Sequence, residues 1–432
     1  SPDNIIGTGT DFNNDNFSFN ISRKEVDDSN KSSRPSRSKS TNSFVSEVTY
    51  PNVGFGLSST PSSQSIHFKN ATLWTNEDDG IIENSDIIID NGKIIAIGKN
   101  LETPTNFKTI DATGKHITSG IIDEHSHMAA SSINEGGHNS SAEVSIMDVI
   151  NPDDINIYRN LGGGVTTVQI LHGSANPIGG QSAIIKLKWG SEIDEMFYKD
   201  AAPFIKFALG ENVKQSNWSG SRFPQTRMGV EQVFVDHLDR AKEYAKNWTN
   251  YNSLSARQKR STVKPRFDEE LETLWEILRG DRFVSSHSYV QSEINMLMKV
   301  AERFGFKIDI FTHILEGYKV ADKMAEHGVG GSTFSDWWGY KFEVNDAIPY
   351  NASIMHNAGV TVALNSDNSE LSRRLNLEAA KAVKYGNVSE EEAWKFVTLN
   401  PAKLLRLDDQ VGSLKVGKDA DIVSVSYTHL TL

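Results

Sequence analysis

The chain of 432 residues contains no cysteine, and this absence removes several kinds of chemistry at once. Disulfide bonds, thiolate nucleophiles and cysteine-bound zinc are excluded, so any metal ion must be held by histidine and carboxylate side chains. Apolar runs of the roughly 20 residues that span a membrane are also lacking. Positive charge is scarce, with 44 Lys and Arg against 56 Asp and Glu, and this balance argues against nucleic acid or an anionic membrane as the main partner.

Apolar periodicity is missing from residues 1–65, which are rich in Ser, Asn, Asp, Thr, Pro and Gly and include SNKSSRPSRSKSTNS at 29–43. Such a segment cannot bury enough apolar surface to offset the conformational entropy of the chain. We therefore predict a disordered linker or tail over residues 1–65. The remaining residues are numerous enough for one large α/β barrel with an accessory domain.

Short β-rich stretches punctuated by turns begin at Ile66. The sequence DNGK at 90–93 is an Asn-Gly hairpin signal between the strand-like stretches DIII and IIAIG. A second β-rich segment lies near the end of the chain, in GSLKVGKDADIVSVS at 412–426. We expect this returning segment to pair with the strands of residues 66–115.

After residue 120, apolar strand-like stretches alternate with helical ones such as QSEINMLMKVAERFG, which ends in glycine as helices often do. Strand–helix alternation over about 250 residues is typical of a (β/α)8 TIM barrel, which we place at residues 119–407. The glycine-rich stretches at 162–164 and 179–180 are predicted to be turns. The strand-like stretches are GVTTVQIL (164–171), APFIKFALG (202–210), RFVSSH (282–287), FKIDIFTH (306–313) and GVTVALNSD (359–367).

Five side chains suited to metal binding stand at the ends of these strands. His125 and His127 in GIIDEHSHMAA leave the same face of a strand, because side-chain direction repeats every two residues. His287, His313 and Asp367 each end another strand, and catalytic groups converge at the carboxyl ends of barrel strands. Histidine and carboxylate suit Zn²⁺ or a similar divalent ion, which activates water and polarises a carbonyl group while a carboxylate moves the proton.

These motifs resemble the amidohydrolase superfamily, close to its imidazolonepropionase-like branch, over residues 66–426. The resemblance implies a small β-sandwich built from residues 66–118 and 408–432 around the barrel. The sequence after Val423 departs from the family pattern, so we expect the C-terminal part of this sandwich to be truncated. The matching stretches are ATLWTNEDDGIIENSDIIIDNGKIIAIG, DATGKHITSGIIDEHSHM, GVTTVQIL, SSHSYVQSEINMLMKVAERFGFKIDIFTHILEGYKVADKMA, ALNSD and VTLNPAKLLRLDDQVGSLKVGKDADIV.

The resemblance also implies a role for each candidate site residue. Carried over by position, the metal ligands are His125 and His127 on the first strand, His287 and His313 on the fifth and sixth, and Asp367 on the eighth. Asp367 is in addition the general base. One of His287 and His313 could instead polarise the substrate carbonyl, so their division of labour is left open, and His313 is also taken as a catalytic residue.

One further ligand is expected from FIKFALGENVK, and two residues compete for this role. Lys206 resembles the carboxylated bridging lysine of binuclear members, whereas Glu211 resembles the single glutamate of the N-acetylglucosamine-6-phosphate deacetylase group. The two positions have opposite strand parity, so a regular strand cannot aim both inward unless the chain turns at Gly210. We favour Glu211, because a long acidic side chain just beyond a strand end can reach a site at the barrel mouth.

The predicted function is hydrolysis of a carbon–nitrogen bond in a small amide, cyclic amide or peptide-like substrate. One or two divalent ions, with zinc the first choice, would carry the attacking hydroxide, and Asp367 would move the proton. Arg222, Arg227 and Tyr289 follow strand ends and are candidates for contacting the substrate. The alternative is a catalytically silent metal-binding module of a larger envelope or secreted protein.

The expected partners follow from the same considerations. The chain resembles large two-part bacterial proteins in which this region is the C-terminal half, so the N-terminal half of the same polypeptide is an expected partner. A second copy of the chain is another. Nucleic acid is not expected, because the sequence has no basic stripe. The sequence leaves the cellular compartment undetermined.

Overall fold

The computed structural model describes residues 4–10, 15–22, 47–215, 220–337 and 339–426. The chain divides into two compact units, residues 1–47 and residues 48–432. In the described part of the chain, no helix has both the length and the apolar character needed to cross a membrane. The larger unit contains every side chain that is predicted to form the site.

The smaller unit contains an antiparallel hairpin of two strands, β1 (Asn4–Thr10) and β2 (Asn16–Ser22). Strand alternation in NFSFNIS places both phenylalanines on one face, opposite two glycines of β1. This hairpin differs from the disordered tail predicted for residues 1–65, because local alternation permits strand pairing even where overall hydrophobicity is low. The predicted tail also included residues 23–46, which lie outside the described residues, and residues 48–65, which belong to the larger unit.

A mixed sheet is made from both ends of the larger unit. Its final strand, Ile422–Val425, pairs antiparallel with the strand His116–Ser119. The pairing partner was expected within residues 66–115, and the observed partner lies just beyond that range. The Asn-Gly hairpin is confirmed, with both turn residues at positive φ. The described strands form one six-stranded sheet, so the sandwich stays a prediction. The other strands are β3 (Ile66–Trp74), β4 (Ile81–Asp90), β5 (Lys93–Gly98), β6 (Lys108–Asp111) and β7 (His116–Ser119).

The remaining strands form a TIM-barrel-like arrangement, and they are β8 (Ile121–Ser126), β9 (Val165–Ile170), β10 (Ile178–Gln181), β11 (Ala183–Lys186), β12 (Phe204–Ala208), β13 (Phe283–His287), β14 (Ile310–Thr312), β15 (Gly330–Thr333) and β16 (Val362–Leu364). Strands β12 to β16 are parallel neighbours, and β8 lies parallel to β9. The consecutive strands β10 and β11 run antiparallel to β12 and β9 and so connect the two groups. Between β16 and β8 the described residues show an isolated bridge, Ser126 to Asn368, instead of a full ladder.

The prediction of a turn at residues 179–180 is wrong, because these glycines lie inside β10. A Cβ atom at Gly179 would lie 2.9 Å from His172 Nδ1 and 3.0 Å from the Lys206 carbonyl oxygen. The glycine therefore permits close approach of a neighbouring strand. The turn predicted at 162–164 is confirmed, since these residues follow the first helix of the unit and precede β9.

Helices alternate with the strands along the chain. The helix predicted from QSEINMLMKVAERFG is confirmed as α7, which buries Ile294, Leu297 and Ala301 on one face and ends at Gly305. The helices are α1 (Ile155–Leu161), α2 (Ile193–Met196), α3 (Asn212–Gln215), α4 (Arg227–Ser253), α5 (Ala256–Lys259), α6 (Glu269–Arg279), α7 (Gln291–Phe304), α8 (Ala321–His327), α9 (Asn351–Asn357), α10 (Leu375–Gly386), α11 (Glu390–Lys395) and α12 (Leu399–Leu404). Short 3₁₀ helices cover Ile146–Val149, Gly317–Lys319, Phe342–Val344 and Leu371–Arg374.

A network of ion pairs joins the barrel to the segment that returns to the mixed sheet. Lys186, at the end of β11, lies 2.5 Å from Asp419 and 2.8 Å from Asp421. Lys93, at the start of β5, lies 2.6 Å from the other oxygen of Asp419. Burial disfavours the charge on Lys186, but the two carboxylates outweigh this and raise its pKa above the usual value. Because loss of one partner would leave a buried charge uncompensated, the network holds the two parts together.

Residues 48–65 pack on the barrel through Phe55, whose carbonyl oxygen accepts a hydrogen bond from Trp189 Nε1 (2.9 Å) and whose ring stacks on Tyr158 at 5.1 Å between centroids. We predict that a chain beginning at residue 66 melts a few degrees below a chain beginning at residue 48. The lost hydrogen bond and ring contact together are worth about 1–3 kcal/mol. Thermal denaturation of the two shortened chains measures the difference, and equal melting temperatures would contradict the prediction.

Candidate metal centre

Three ligand atoms converge where the first and last barrel strands end. His125 lies in β8 and His127 just after it, while Asp367 follows β16. The Nε2 atoms of His127 and His125 lie 2.8 Å and 3.2 Å from the same carboxylate oxygen, Asp367 Oδ1. One ligand atom from each of these residues lies within 4.8 Å of the others, and the side chains are buried or half-buried. Of the five candidates, these three form the group close enough to share one metal ion.

Asp123, two residues before His125, fixes these two strand ends relative to each other. Its Oδ1 accepts hydrogen bonds from the backbone N–H groups of His125 (3.2 Å) and Ser366 (3.1 Å). Its Oδ2 accepts hydrogen bonds from the hydroxyl groups of Ser366 and Ser372, each at 2.5 Å. Since Ser366 immediately precedes Asp367, this buried carboxylate ties one metal-binding strand end to the other. The sequence pattern assigned Asp123 no role, although a carboxylate inside an apolar strand is a signal of such a task.

Two of the site residues have a left-handed backbone conformation. The φ angles of Asp367 and His313 are +45° and +39°. Residues other than glycine rarely adopt this conformation, which costs of the order of 1–3 kcal/mol and is concentrated at functional sites. At Asp367 the backbone N–H donates to the His125 carbonyl oxygen at 2.9 Å, so the neighbouring strand holds the conformation in place.

The carboxyl group of Asp367 is kept ionised by its neighbours. Burial by itself would raise its pKa, but His313, His127 and Lys206 outweigh this effect and hold the pKa below its usual value. The side chain is still 28% exposed, so a small molecule can reach it. An ionised carboxylate in this position can bind a cation and can also accept a proton.

His287 and His313 form a pair beside this group, with His287 Nδ1 at 3.0 Å from His313 Nε2 and one proton between them. Burial lowers the pKa of both rings. The pKa of His313 falls to about 3, although the charge of Asp367 opposes this change. Both rings are therefore neutral at neutral pH. The outer nitrogens, His287 Nε2 and His313 Nδ1, have no hydrogen-bond partner in the described structure. Whichever ring donates, one outer nitrogen carries an N–H and the other a lone pair. The pair therefore offers one donor and one ligand.

Lys206 lies inside the cluster. It is fully buried in β12, and its Nζ lies 3.5 Å from His125 Nε2. Burial lowers the pKa of Lys206 to about 8, although the carboxylates of Asp367 and Glu124 oppose this change. An amine with a lowered pKa is neutral in a larger fraction of molecules and is correspondingly more reactive.

Glu211, the residue favoured from the sequence, is placed differently. The chain does turn at Gly210, which has a φ of +80°, as the opposite strand parities required. The turn brings the backbone N–H of Glu211 to 2.8 Å from a carboxylate oxygen of Glu343. Within the described residues, the group that could hold a metal ion does not include Glu211. The preference for Glu211 over Lys206 is therefore not supported by the geometry.

Glu124 is a second buried acid of the barrel interior for which the sequence gave no signal. Simple strand alternation places it on the opposite face from His125. Its Oε1 accepts a hydrogen bond from Ser285 Oγ at 3.3 Å, and its Oε2 accepts one from Thr312 Oγ1 at 3.0 Å. Burial raises the pKa of Glu124 to about 7, and its hydrogen bonds and the charge of Lys206 act against this rise.

The three residues proposed to contact the substrate differ in position. Tyr289 lies at the site, because its ring packs edge-on against that of His287 with centroids 4.5 Å apart. Arg222 donates to backbone carbonyl groups, including that of Ala175 at 2.7 Å, and so fixes loops. Arg227 lies 2.8 Å from a carboxylate oxygen of Glu293. Both arginines therefore already have partners within the chain.

The donor set fits a divalent ion. Imidazole nitrogens and carboxylate oxygens are the ligands that zinc takes in proteins without cysteine at the site. In addition to the unpaired nitrogens of the histidine pair, the buried His127 Nδ1 has no hydrogen-bond partner in the described structure. Two imidazoles that approach one carboxylate oxygen, as His125 and His127 do, form a pocket whose donors a cation would satisfy together.

The TIM-barrel-like α/β unit brings histidines and a carboxylate together at the carboxyl ends of its strands, where the catalytic groups of this fold converge and where a divalent ion could be held. Residues 350–431 match the model of the amidohydrolase family. The crystal structure of an amidohydrolase from Thermotoga maritima MSB8 is 32% identical and superposes with a TM-score of 0.77, covering 84% of this chain and 95% of that one. The chain belongs to the amidohydrolase family, a family of hydrolases that act on carbon–nitrogen bonds.

Curated relatives agree with this family. The amidohydrolase tasK of Hapsidospora irregularis is 29% identical over 368 residues, which are 78% of this chain and 37% of that protein. An imidazolonepropionase of Picrophilus torridus is 24% identical over 372 residues, which are 79% of this chain and 86% of that protein. The chain thus spans little more than a third of the length of tasK but most of the length of the imidazolonepropionase.

We predict that His125→Ala and His127→Ala each sharply reduce the amount of bound metal, because each removes one of three converging ligand atoms. His327→Ala is the control: His327 is also buried, but its two ring nitrogens bond to Glu302 and to the backbone N–H of Ile308. Elemental analysis of the three purified variants measures bound metal per chain. Equal metal content in all three would refute the assignment.

Proposed function

We propose that this chain hydrolyses the carbon–nitrogen bond of a small amide, with cyclic amides and peptide-like amides as the substrate class. The convergence of His125, His127 and Asp367 at one end of the barrel, next to the unpaired nitrogens of a neutral histidine pair, is the observation that carries the proposal. The similarity to an imidazolonepropionase, which by its name acts on a cyclic amide, supports the choice of substrate class.

His125, His127 and Asp367 would hold the ion, for which we propose zinc because the ligands are imidazole and carboxylate. When bound, such an ion lowers the pKa of water and polarises a carbonyl oxygen. Asp367 accepts the proton of the attacking water and passes it to the leaving nitrogen, which needs that proton to depart as an amine. The low pKa of Asp367 keeps it ready to accept the proton at neutral pH.

The histidine pair supplies the hydrogen bond that polarises the substrate carbonyl group. The ring that carries the unpaired N–H donates to the substrate carbonyl oxygen, where negative charge develops during attack. The other ring keeps a lone pair on its outer nitrogen. Asp367 Oδ2 lies 4.0 Å from His313 Nε2. Because both rings of the pair are neutral, the ring that donates to the substrate keeps its proton and does not transfer it to Asp367. Tyr289 closes this side of the site with its ring.

We further propose that Lys206 supplies the additional ligand, in place of Glu211. Its neutral amine would add to carbon dioxide, forming an N–C bond and releasing one proton, and the resulting carbamate offers anionic oxygen atoms. An unmodified ammonium group would instead repel a cation held by His125. The position of Lys206 Nζ, 3.5 Å from His125 Nε2, supports this proposal.

The longer polypeptide and the oligomer expected from the sequence stay part of the proposal. The match to little more than a third of tasK is consistent with a relative that has additional regions. We propose that this unit acts together with further parts of a longer chain. Association with a second copy is a further expectation.

A substrate panel tests the proposed activity. Dipeptides, N-acyl amino acids and cyclic amides are incubated with the chain, with and without a chelator, and release of the amine is measured. Chelator-sensitive release from at least one class is expected. Absence of release from a metal-loaded chain would favour the alternative, a catalytically silent metal-binding module.

We predict that Asp367→Asn lowers kcat by a factor on the order of 10² or more, because the amide cannot accept the proton of the attacking water. Most of the bound metal should be retained, since both histidines and an oxygen ligand remain. Asp322→Asn, at an exposed position in α8, is the matched control and should leave kcat unchanged. Steady-state kinetics with metal analysis separates the two effects, and full activity of Asp367→Asn would contradict the proton pathway.

The role of Lys206 gives a separate prediction. Metal is removed from the chain and restored with and without bicarbonate, and we expect bicarbonate to increase metal uptake. Lys206→Met should abolish this dependence and lose metal, while Glu211→Gln should bind metal as the parent does. Loss of metal in Glu211→Gln with normal uptake in Lys206→Met would restore Glu211 as the ligand.

A further inference from the structure

The proposed mechanism uses neither Glu124 nor Thr312, although both are fully buried next to a metal-binding histidine. Thr312 Oγ1 lies 2.9 Å from His125 Nδ1 and 3.0 Å from Glu124 Oε2. One hydroxyl group thus connects the ring of His125 to a buried carboxyl group. Burial disfavours the charge of a carboxyl group, so the presence of Glu124 at this position calls for a structural or functional explanation.

The hydroxyl group of Thr312 has a single proton, and this limits the hydrogen bonds that the three groups can make. In the structure the Thr312 hydroxyl group donates its proton to Glu124 Oε2. The Thr312 oxygen must then accept from its other neighbour. The donor in that second bond is an N–H at Nδ1 of His125.

We propose that Glu124, acting through Thr312, fixes His125 in the tautomer with hydrogen on Nδ1, so that the lone pair of Nε2 faces the metal centre. Both are positioning residues, because they contact neither the ion nor the substrate. The inference rests on the proposed metal site but not on any particular substrate. A ring whose far N–H is engaged in this way is held in one orientation and is a better ligand.

The opposite tautomer is disfavoured by the same contacts. If His125 carried its hydrogen on Nε2, Thr312 would have to donate to Nδ1, and Glu124 Oε2 would lose its bond from that hydroxyl group. A buried acceptor that loses a hydrogen bond is energetically costly. Glu124 also receives hydrogen bonds from Ser285, at its other oxygen Oε1 (3.3 Å), and from Ser332, so the bond from Thr312 is one of three that hold its carboxyl group.

The fixed tautomer also explains why a cation belongs at this position. The Nε2 lone pair of His125 lies 3.2 Å from Asp367 Oδ1, an ionised oxygen, and two electron-rich atoms so close together repel. The amine of Lys206 lies beside them, with Nζ at 3.5 Å from His125 Nε2. A divalent ion would satisfy both electron-rich atoms, and Lys206 would then be free for the reaction with carbon dioxide.

Two measurements on the full chain test the tautomer. The first is nuclear magnetic resonance of the ring nitrogens in metal-free protein with isotope-labelled histidine, under mildly alkaline conditions, where His125 should show hydrogen on Nδ1. Its signal is assigned by comparison with His125→Ala. The second is zinc affinity, measured by competition with a chelator. Neither readout depends on catalytic activity, so failure of the proposed amidase function leaves this test intact.

Four variants separate positioning from packing. Thr312→Val keeps the shape but loses the hydroxyl group, and Glu124→Leu removes both acceptor oxygens, so each should shift the His125 tautomer and weaken zinc binding roughly 10- to 100-fold. Thr312→Ser keeps the hydroxyl group and should restore both properties. Ser285→Ala removes a different donor to Glu124 without touching His125 and is the matched control, which should resemble the parent.

The outcomes are decisive in either direction. Parental tautomer and parental affinity in Thr312→Val or in Glu124→Leu would overturn the proposal. An equal loss in Ser285→Ala would also overturn it, because the effect would then come from packing of the barrel interior. If Thr312→Val does not fold, the tautomer of the parent chain and the behaviour of Thr312→Ser still decide the question.

Discussion

The geometry of this protein depends on the hydrogen bonds that Asp123 accepts at the seam of the barrel. Along that seam the described backbone shows an isolated bridge, from Ser126 to Asn368, where the other strands have ladders. Asp123 replaces the missing ladder by accepting from backbone and hydroxyl groups on both sides. The two strand ends that it joins carry the converging ligands, so the same hydrogen bonds hold these strand ends together and position the site.

The barrel interior next to these strand ends contains several buried polar groups. The free-energy cost of burying each group is offset by its interactions with the others. His125, His287 and His313 are neutral because burial opposes their charge. Lys206 and Glu124 lie in the same interior with pKa values that burial moves toward neutrality. In a medium of low effective dielectric constant each group strongly affects the next. A cation at this candidate site would satisfy lone pairs that the described residues leave without partners.

Particular elements show where sequence reasoning succeeded and where it failed. The strand-end positions of His125, His127 and Asp367 followed from periodicity, and the structure brings them together as expected. Reasoning failed at residues 179–180, where glycines serve close packing instead of a turn. The expectation that Glu211 is a ligand stays a prediction: its backbone N–H bonds to Glu343, and among the described residues it is not in the group that could hold a metal ion.

The sequence by itself determined the absence of cysteine chemistry, the residue types that end the strands it identified, and the alternation of strands and helices after residue 120, although not the strands β10, β11 and β15. These properties depend on composition and on periodicity over a few neighbouring residues. Only the tertiary structure decided that Lys206 enters the cluster, that His287 pairs with His313, and that Asp123 and Glu124 hold the site. These properties depend on contacts between residues far apart in the chain, such as the 243 positions that separate Asp123 from Ser366, and on burial, which no local pattern records.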